Sequence, residues 1–100
     1  MYIIHKTVQF DHWLDQLRDV RARTHIAKRL LKIQNGNLGD WKSIGNGISE
    51  IRVDIGAGYR LYFTRQGLDI IFLLCAGDKS SQRRDIEMAK SIAEQIWNSI

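Results

Sequence analysis

Three consecutive segments between Ser49 and Ala76 constrain this chain most, because each reads as a strand and only short glycine-containing turns separate them. In residues 49 to 55, Ser49, Ile51, Val53 and Ile55 alternate with Glu50, Arg52 and Asp54, the two-residue period of a strand with one buried face. In residues 59 to 64, Leu61 and Phe63 alternate with Arg60, Tyr62 and Thr64. Residues 68 to 76 are apolar on both faces, as expected of a strand with neighbours on either side. Strands joined this tightly run antiparallel, so the segment predicts a meander.

Pairing Ile55 with Tyr59 leaves Gly56-Ala57-Gly58 as a three-residue turn. That register sets Asp54 opposite Arg60, Arg52 opposite Tyr62 and Glu50 opposite Thr64. All six lie on the face away from Ile51, Val53, Leu61 and Phe63, because a slip of one residue would turn every side chain over. A polar sheet face containing two arginines is the expected result.

Around this meander the pattern changes to helical. Residues 2 to 8 read as a first strand from their β-branched and aromatic content. Phe10, Trp13, Leu14 and Leu17 then repeat at i, i+3, i+4 and i+7, which predicts a short helix over 10 to 18 with Asp11 placed to cap it. A second helix is expected from Val20 to Gln34, stopped at Asn35-Gly36-Asn37. Ile26, Ala27, Leu30, Leu31 and Ile33 share one side of it, and Arg18, Arg21, His25, Lys28, Arg29 and Lys32 the other. Residues 35 to 47, rich in glycine and asparagine, read as a loop around Trp41-Lys42. After Gly77, Ser80 or Ser81 caps a last helix on which Ile86, Ala89, Ile92, Ala93, Ile96 and Trp97 fall at helical spacing. The expected fold is one α+β domain over residues 1 to 100, ordered β-α-α-β-β-β-α, with an antiparallel meander and its helices packed on one face.

Charge and cysteine content narrow the function. Residues 1 to 47 hold eight Lys and Arg against four acids, whereas residues 48 to 100 hold seven of each, so the net charge of +4 is all N-terminal. An acid-free basic helix face suits a polyanion such as ribosomal RNA, through Arg18, Arg21, Lys28, Arg29 and Lys32, or an acidic protein segment. Cys75 alone makes no intramolecular disulfide, which fits a reducing cytoplasm. The longest apolar run, Ile70 to Ala76, is too short to cross a bilayer, and no export signal is readable at Met1 to Lys6, so no membrane partner is expected.

No phosphate-binding glycine loop, metal-ligand spacing or nucleophile turn is present, so neither a metal nor another cofactor is expected. His5, His12 and His25 share no helix face, and Cys75 within Leu-Leu-Cys-Ala reads as a buried apolar side chain. What remains is a set of cations with an aromatic: Arg52, Arg60, Tyr62 and Lys79, with Lys42 on the preceding loop. Arginine forks match phosphate oxygens, lysine adds a point charge, and tyrosine offers a ring and a hydroxyl. The competing reading of the same spacing pairs Arg60 with Asp54 and Arg52 with Glu50 on a solvated face. Glu50, Asp78, Asp85 and Glu87 are the carboxylates available as general bases. Because Arg60 lies off the apolar set, its loss is expected to spare the fold.

Two segments, Gly56-Ala57-Gly58-Tyr59-Arg60-Leu61-Tyr62-Phe63 and Gly77-Asp78-Lys79-Ser80-Ser81-Gln82-Arg83-Arg84-Asp85-Ile86 followed by Ala89, resemble the RelE/ParE toxin superfamily. Within it they are similar to the HigB-like, phage-derived addiction module killer branch, and the resemblance spans nearly the whole chain. It implies a type II toxin held by a cognate antitoxin, acting as a metal-independent endonuclease on mRNA at the ribosome. By the same resemblance, Arg60, Arg52 and Lys79 are the catalytic cations, with Tyr62 and Lys42 binding substrate. Glu50 stands where relatives often carry lysine, and the C-terminal tyrosine or histidine of many relatives has no counterpart near Asp85. These departures give the alternative weight: a ParE-like toxin that inhibits DNA gyrase without cutting RNA.

Overall fold

The computed structural model describes residues 1 to 99. Along the chain it forms β1 (Ile3–Lys6), α1 (Val8–Gln16), α2 (Val20–Gln34), β2 (Trp41–Gly45), β3 (Ile48–Val53), β4 (Tyr59–Gln66), β5 (Ile70–Asp78), one 3-10 turn (Lys79–Ser81) and α3 (Gln82–Asn98). The strands make one mixed sheet in the order β1-β5-β4-β3-β2. β1 runs parallel to β5, and the other four strands form the antiparallel meander. The architecture is α+β, with three helices on a five-stranded sheet.

The segment expected to be a loop is therefore partly a strand. β2 escaped the periodicity reading because an exposed edge strand has no buried face to impose alternation, and only Ile44 in it is sheltered. It turns into β3 through Gly45-Asn46-Gly47, where all three residues take left-handed backbone angles, with Asn46 at φ 54°.

Helices cover both faces of the sheet, not one. Phe10 of α1 and Ala22, Ile26 and Ile33 of α2 pack on Ile51, Val53, Leu61, Phe63, Ile71 and Leu73. On the opposite face, Ala89, Ile92 and Ala93 of α3 pack on Ile48, Tyr62, Leu74 and Cys75. A bulge makes this second core possible. Tyr62 pairs with Cys75 and Phe63 with Leu73, so Leu74 is the extra residue and joins Cys75 under α3.

The β3–β4 register also differs, by two residues. Val53, not Ile55, pairs with Tyr59, so Arg52 faces Arg60 and Glu50 faces Tyr62 across the strands. Ile55 folds back into a longer turn, where its amide donates to the Val53 carbonyl at 3.0 Å and its side chain packs against the α2 core. Because the shift is even, every residue keeps its expected face.

The helix starts are set by residues other than those expected. Thr7, not Asp11, caps α1: its hydroxyl accepts from the Phe10 amide at 3.0 Å and donates to the Leu74 carbonyl at 2.6 Å. α1 therefore begins two residues earlier than the apolar spacing indicated, and α2 spans the expected residues behind an Asp19 cap. At α3, neither Ser80 nor Ser81 caps with its side chain. Asp78 instead accepts from the Ser80 amide at 2.9 Å and from the Ser81 amide at 3.3 Å.

Hydrogen bonds, first that from the Ser80 hydroxyl, hold the Asp78 carboxyl below its ordinary value. A depressed carboxyl stabilises the fold above its unfolded value of about 4, and that stabilisation is lost as pH falls through the folded value. Asp78→Ala is expected to cost about 1 kcal/mol at neutral pH. Urea melts should show the difference shrinking at about pH 2; an equal difference at both pH values would show that the ionised carboxylate is not what caps the turn.

Candidate functional site

Alternation places Glu50, Arg52, Arg60 and Tyr62 on the α3 face of the sheet, and pairing aligns them in rows. One row runs Lys42, Glu50, Tyr62, Cys75 across four adjacent strands. The next runs Arg52, Arg60, Gly77. Near the β2 edge of these rows two cations, from β2 and β4, flank one carboxylate on β3.

Glu50 is that carboxylate, and its side chain is 1% exposed. Arg60 Nε lies 3.6 Å from Glu50 Oε2 and Lys42 Nζ lies 3.7 Å from Oε1. Neither approach is a hydrogen bond, and both Glu50 oxygens, Arg60 Nε and the Tyr62 hydroxyl are buried without a hydrogen-bond partner. Burial, and then the negative charge of Glu50, pushes the Tyr62 hydroxyl far above the ordinary tyrosine range, so it stays protonated. Lys42 is 60% exposed and Arg60 14%, so both cations sit between the buried acid and solvent.

The second row carries its own acid. Arg52 Nη2 lies 3.3 Å from Asp40 Oδ1, and this hydrogen bond, with the attraction of Asp40, raises Arg52 above its usual value. The pairing expected from spacing is thus replaced: Arg60 meets Glu50 instead of Asp54, and Arg52 meets Asp40 instead of Glu50. Asp40 is half-exposed, which makes it a carboxylate on this face that a ligand can reach.

Lys79 is set apart from the row. Its amide donates to the Gly58 carbonyl at 3.1 Å, and its stem lies over Gly58, where a Cβ would come within 3.1 Å of Lys79 Cε. The structure thus gathers Lys42, Arg52, Arg60 and Tyr62, and leaves Lys79 at the rim by the β3–β4 turn; Tyr62 is fully buried under α3, so it floors this face and does not take the substrate contact expected of it. The motif around Lys79 is explained by packing. Ser81 donates to the buried Asp85 at 2.5 Å, and a Cβ on Gly77 would collide with Asp85 Oδ2, so only glycine fits there. The Cys75 thiol lies 3.3 Å from the Asp85 carbonyl oxygen, and burial pushes it up to about 12, leaving almost no thiolate at neutral pH. Among the described residues no three His, Cys, Asp or Glu side chains are placed to hold a metal ion.

The basic face of α2 is split. Arg18, Arg21, Lys28 and Lys32 face solvent. Arg29 instead turns inward, donating from Nη1 to the Arg52 carbonyl at 2.8 Å and from Nη2 to the Leu38 carbonyl at 3.2 Å. Ala27 and Leu31, expected in the core, are exposed in its place. α2 is rolled toward Arg29 because two backbone carbonyls beside the site need its donors.

No family model matches the sequence. A Haemophilus influenzae protein described as an uncharacterized protein is 45% identical over 93 residues, which cover 93% of this chain and 94% of the relative. The chain belongs to that protein's family. The match covers nearly the full length of both members, and the relative's description assigns neither an activity nor a ligand.

The residues that sequence reasoning undervalued are Glu50, Asp40 and Arg29. Recognition of 41 to 45 as a strand would have set Lys42 against Glu50 and shown that a cation and an acid share one row. Arg29→Met is expected to cost roughly 1–3 kcal/mol by stranding two carbonyls, against less than about 0.5 for Arg21→Met. Urea denaturation of both variants checks this. Equal effects would place Arg29 on the solvated stripe.

Proposed function

We propose that this chain is the toxin of a type II toxin–antitoxin pair, of the RelE/ParE superfamily and its HigB-like branch, and that it cleaves mRNA on the ribosome. The observation that supports this reading is the convergence of Lys42, Arg52 and Arg60 from three neighbouring strands onto one face beside Tyr62. Cleavage proceeds by attack of a ribose 2′-oxygen on the adjacent phosphorus, with departure of the 5′-oxygen. Charge then builds on the phosphate oxygens, and fixed cations lower the barrier because they need no reorganisation as it develops.

Each residue takes a role from its exposure. Arg60 and Lys42 face the phosphate from the solvent side of Glu50, and Arg52 approaches from the next row. Glu50 is too deeply buried to touch substrate and acts by holding the two cations apart and in place. Asp40 is the carboxylate within reach to take the 2′-hydroxyl proton. Lys79, at the rim, meets RNA flanking the cleaved bond. Arg18, just ahead of α2, and Arg21, Lys28 and Lys32 on it remain exposed for ribosomal RNA. The partner that restrains the toxin is a small antitoxin encoded beside it. The site of action is the cytoplasm, and no described helix is long and apolar enough to cross a membrane.

Induced expression is expected to arrest translation, and primer extension on a reporter mRNA to show breaks within codons. Intact mRNA with gyrase-dependent double-strand DNA breaks would replace this reading with the gyrase-inhibiting one. Losing a charge-assisted phosphate contact through Lys42→Met, or the proton acceptor through Asp40→Asn, should slow cleavage by roughly tenfold to a hundredfold.

A further inference from the structure

Two of the three tryptophans are held open to solvent on the same groove. Trp41 is 42% exposed and Trp97 40% exposed. They line a hollow of about 520 Å3 at the β2–β3 end of the sheet, with Phe63, Ser43, Ser49 and Arg65. A second hollow of about 500 Å3 lies against Trp97 beside Lys90 and Glu94. The two hollows share Gly47 and Trp97, so the Trp97 indole is the wall between them.

Both indoles are fixed. Arg65 lies over the Trp41 ring at 5.5 Å and over the Tyr2 ring at 5.3 Å, and donates to the Tyr2 hydroxyl at 3.2 Å. Trp97 rests on Gly47, where a Cβ would come within 3.1 Å of the ring. Thr64 holds that turn by donating to the Gly47 carbonyl at 2.8 Å. A rigid, half-exposed aromatic wall next to serine hydroxyls and a guanidinium suits a flat ring with polar edges that carries an anion.

We propose that this groove is a base-stacking site for single-stranded RNA, with one base against Trp41 and the next against Trp97, and with Arg65 and Lys90 serving the intervening phosphates. The proposal rests on the reading of the chain as an RNA-directed toxin. It adds a second contact, because Trp41 and Lys42 are consecutive on edge strand β2 and point to opposite faces of the sheet. A strand of RNA passing over the free edge of β2 meets the cation row on one side and the Trp41 indole on the other, with Trp97 of α3 beside the β2–β3 turn at Gly47. The groove would thus hold nucleotides flanking the cleaved bond.

Tryptophan fluorescence of the full chain, titrated with hexauridylate, tests this without requiring cleavage. Trp13 packs between Phe10 and Tyr59 and serves as a sheltered reference. Saturable quenching is expected, with binding weakened roughly tenfold by Trp41→Ala and by Trp97→Ala. Trp41→Phe and Trp97→Phe should keep most of it, and circular dichroism melts on all four variants separate lost stacking from lost fold. Unchanged binding in folded alanine variants would overturn the proposal, as would equal quenching by tripolyphosphate, which has no base. Codon-internal cleavage without quenching would reject the stacking site and leave the toxin reading standing. Indole-dependent quenching without cleavage would uphold the site and reject the nuclease.

Discussion

A carboxylate buried between two cations is the constraint on which the rest of this structure depends. Glu50 sits at 1% exposure with Arg60 and Lys42 on either side, and without them its charge would be untenable in the α3-covered layer. That requirement links strands. Lys42 must come from β2, Arg60 from β4 and Glu50 from β3, so the three-strand register is held by ionic contacts as well as by backbone hydrogen bonds. It also keeps positive charge at the surface of a face whose floor is otherwise apolar or neutral, through Ile48, Tyr62, Leu74 and Cys75. The pairing is loose, at 3.6 and 3.7 Å, so the cations retain donors for an incoming anion.

The sheet can sustain this arrangement because its two faces do different work. The α1–α2 face is a continuous apolar core from Phe10 to Leu73. The α3 face is apolar along β5, where the Leu74 bulge turns two consecutive residues toward the helix, and at the Ile44–Ile48 end of β2 and β3. It becomes charged at Lys42, Glu50, Arg52 and Arg60. Arg29 ties the two layers together from behind, since its guanidinium crosses from α2 to the backbone of Arg52. Asp85, Ser81 and Gly77 do the equivalent at the other end by seating the start of α3 against β5.

Much of this was legible in the residue order. Alternation over 49 to 64 and the apolar run after Leu68 gave β3, β4 and β5 and the correct faces of Arg52, Arg60 and Tyr62. The α2 boundaries followed from periodicity and from Asn35-Gly36. What was not legible depended on tertiary context. β2 is an exposed edge with no pattern of its own, and the Ile55 side chain reads as a strand residue although it closes a turn. Parallel pairing of β1 with β5 leaves no local mark, and α3 on the second face is invisible to a pattern that records only that a helix is amphipathic. Arg29 reads as one more base in a solvated stripe because nothing local announces two carbonyls in need of donors. For the same reason Glu50 stood out only as a departure from a resemblance, and its role as the acid between the cations emerged once Lys42 was paired with it.

A double-mutant cycle on Glu50 and Arg60, read as unfolding free energy in urea, tests the role of the buried carboxylate most directly. Arg60→Met alone is predicted to cost about 3 kcal/mol, because it leaves the buried carboxylate facing Lys42 only. This reverses the expectation that losing Arg60 would spare the fold. The pair Glu50→Met with Arg60→Met is predicted to regain most of that loss, since two apolar chains of similar length fill the same layer. Single effects that simply add, with no recovery in the double variant, would contradict the claim that Glu50 holds this face together.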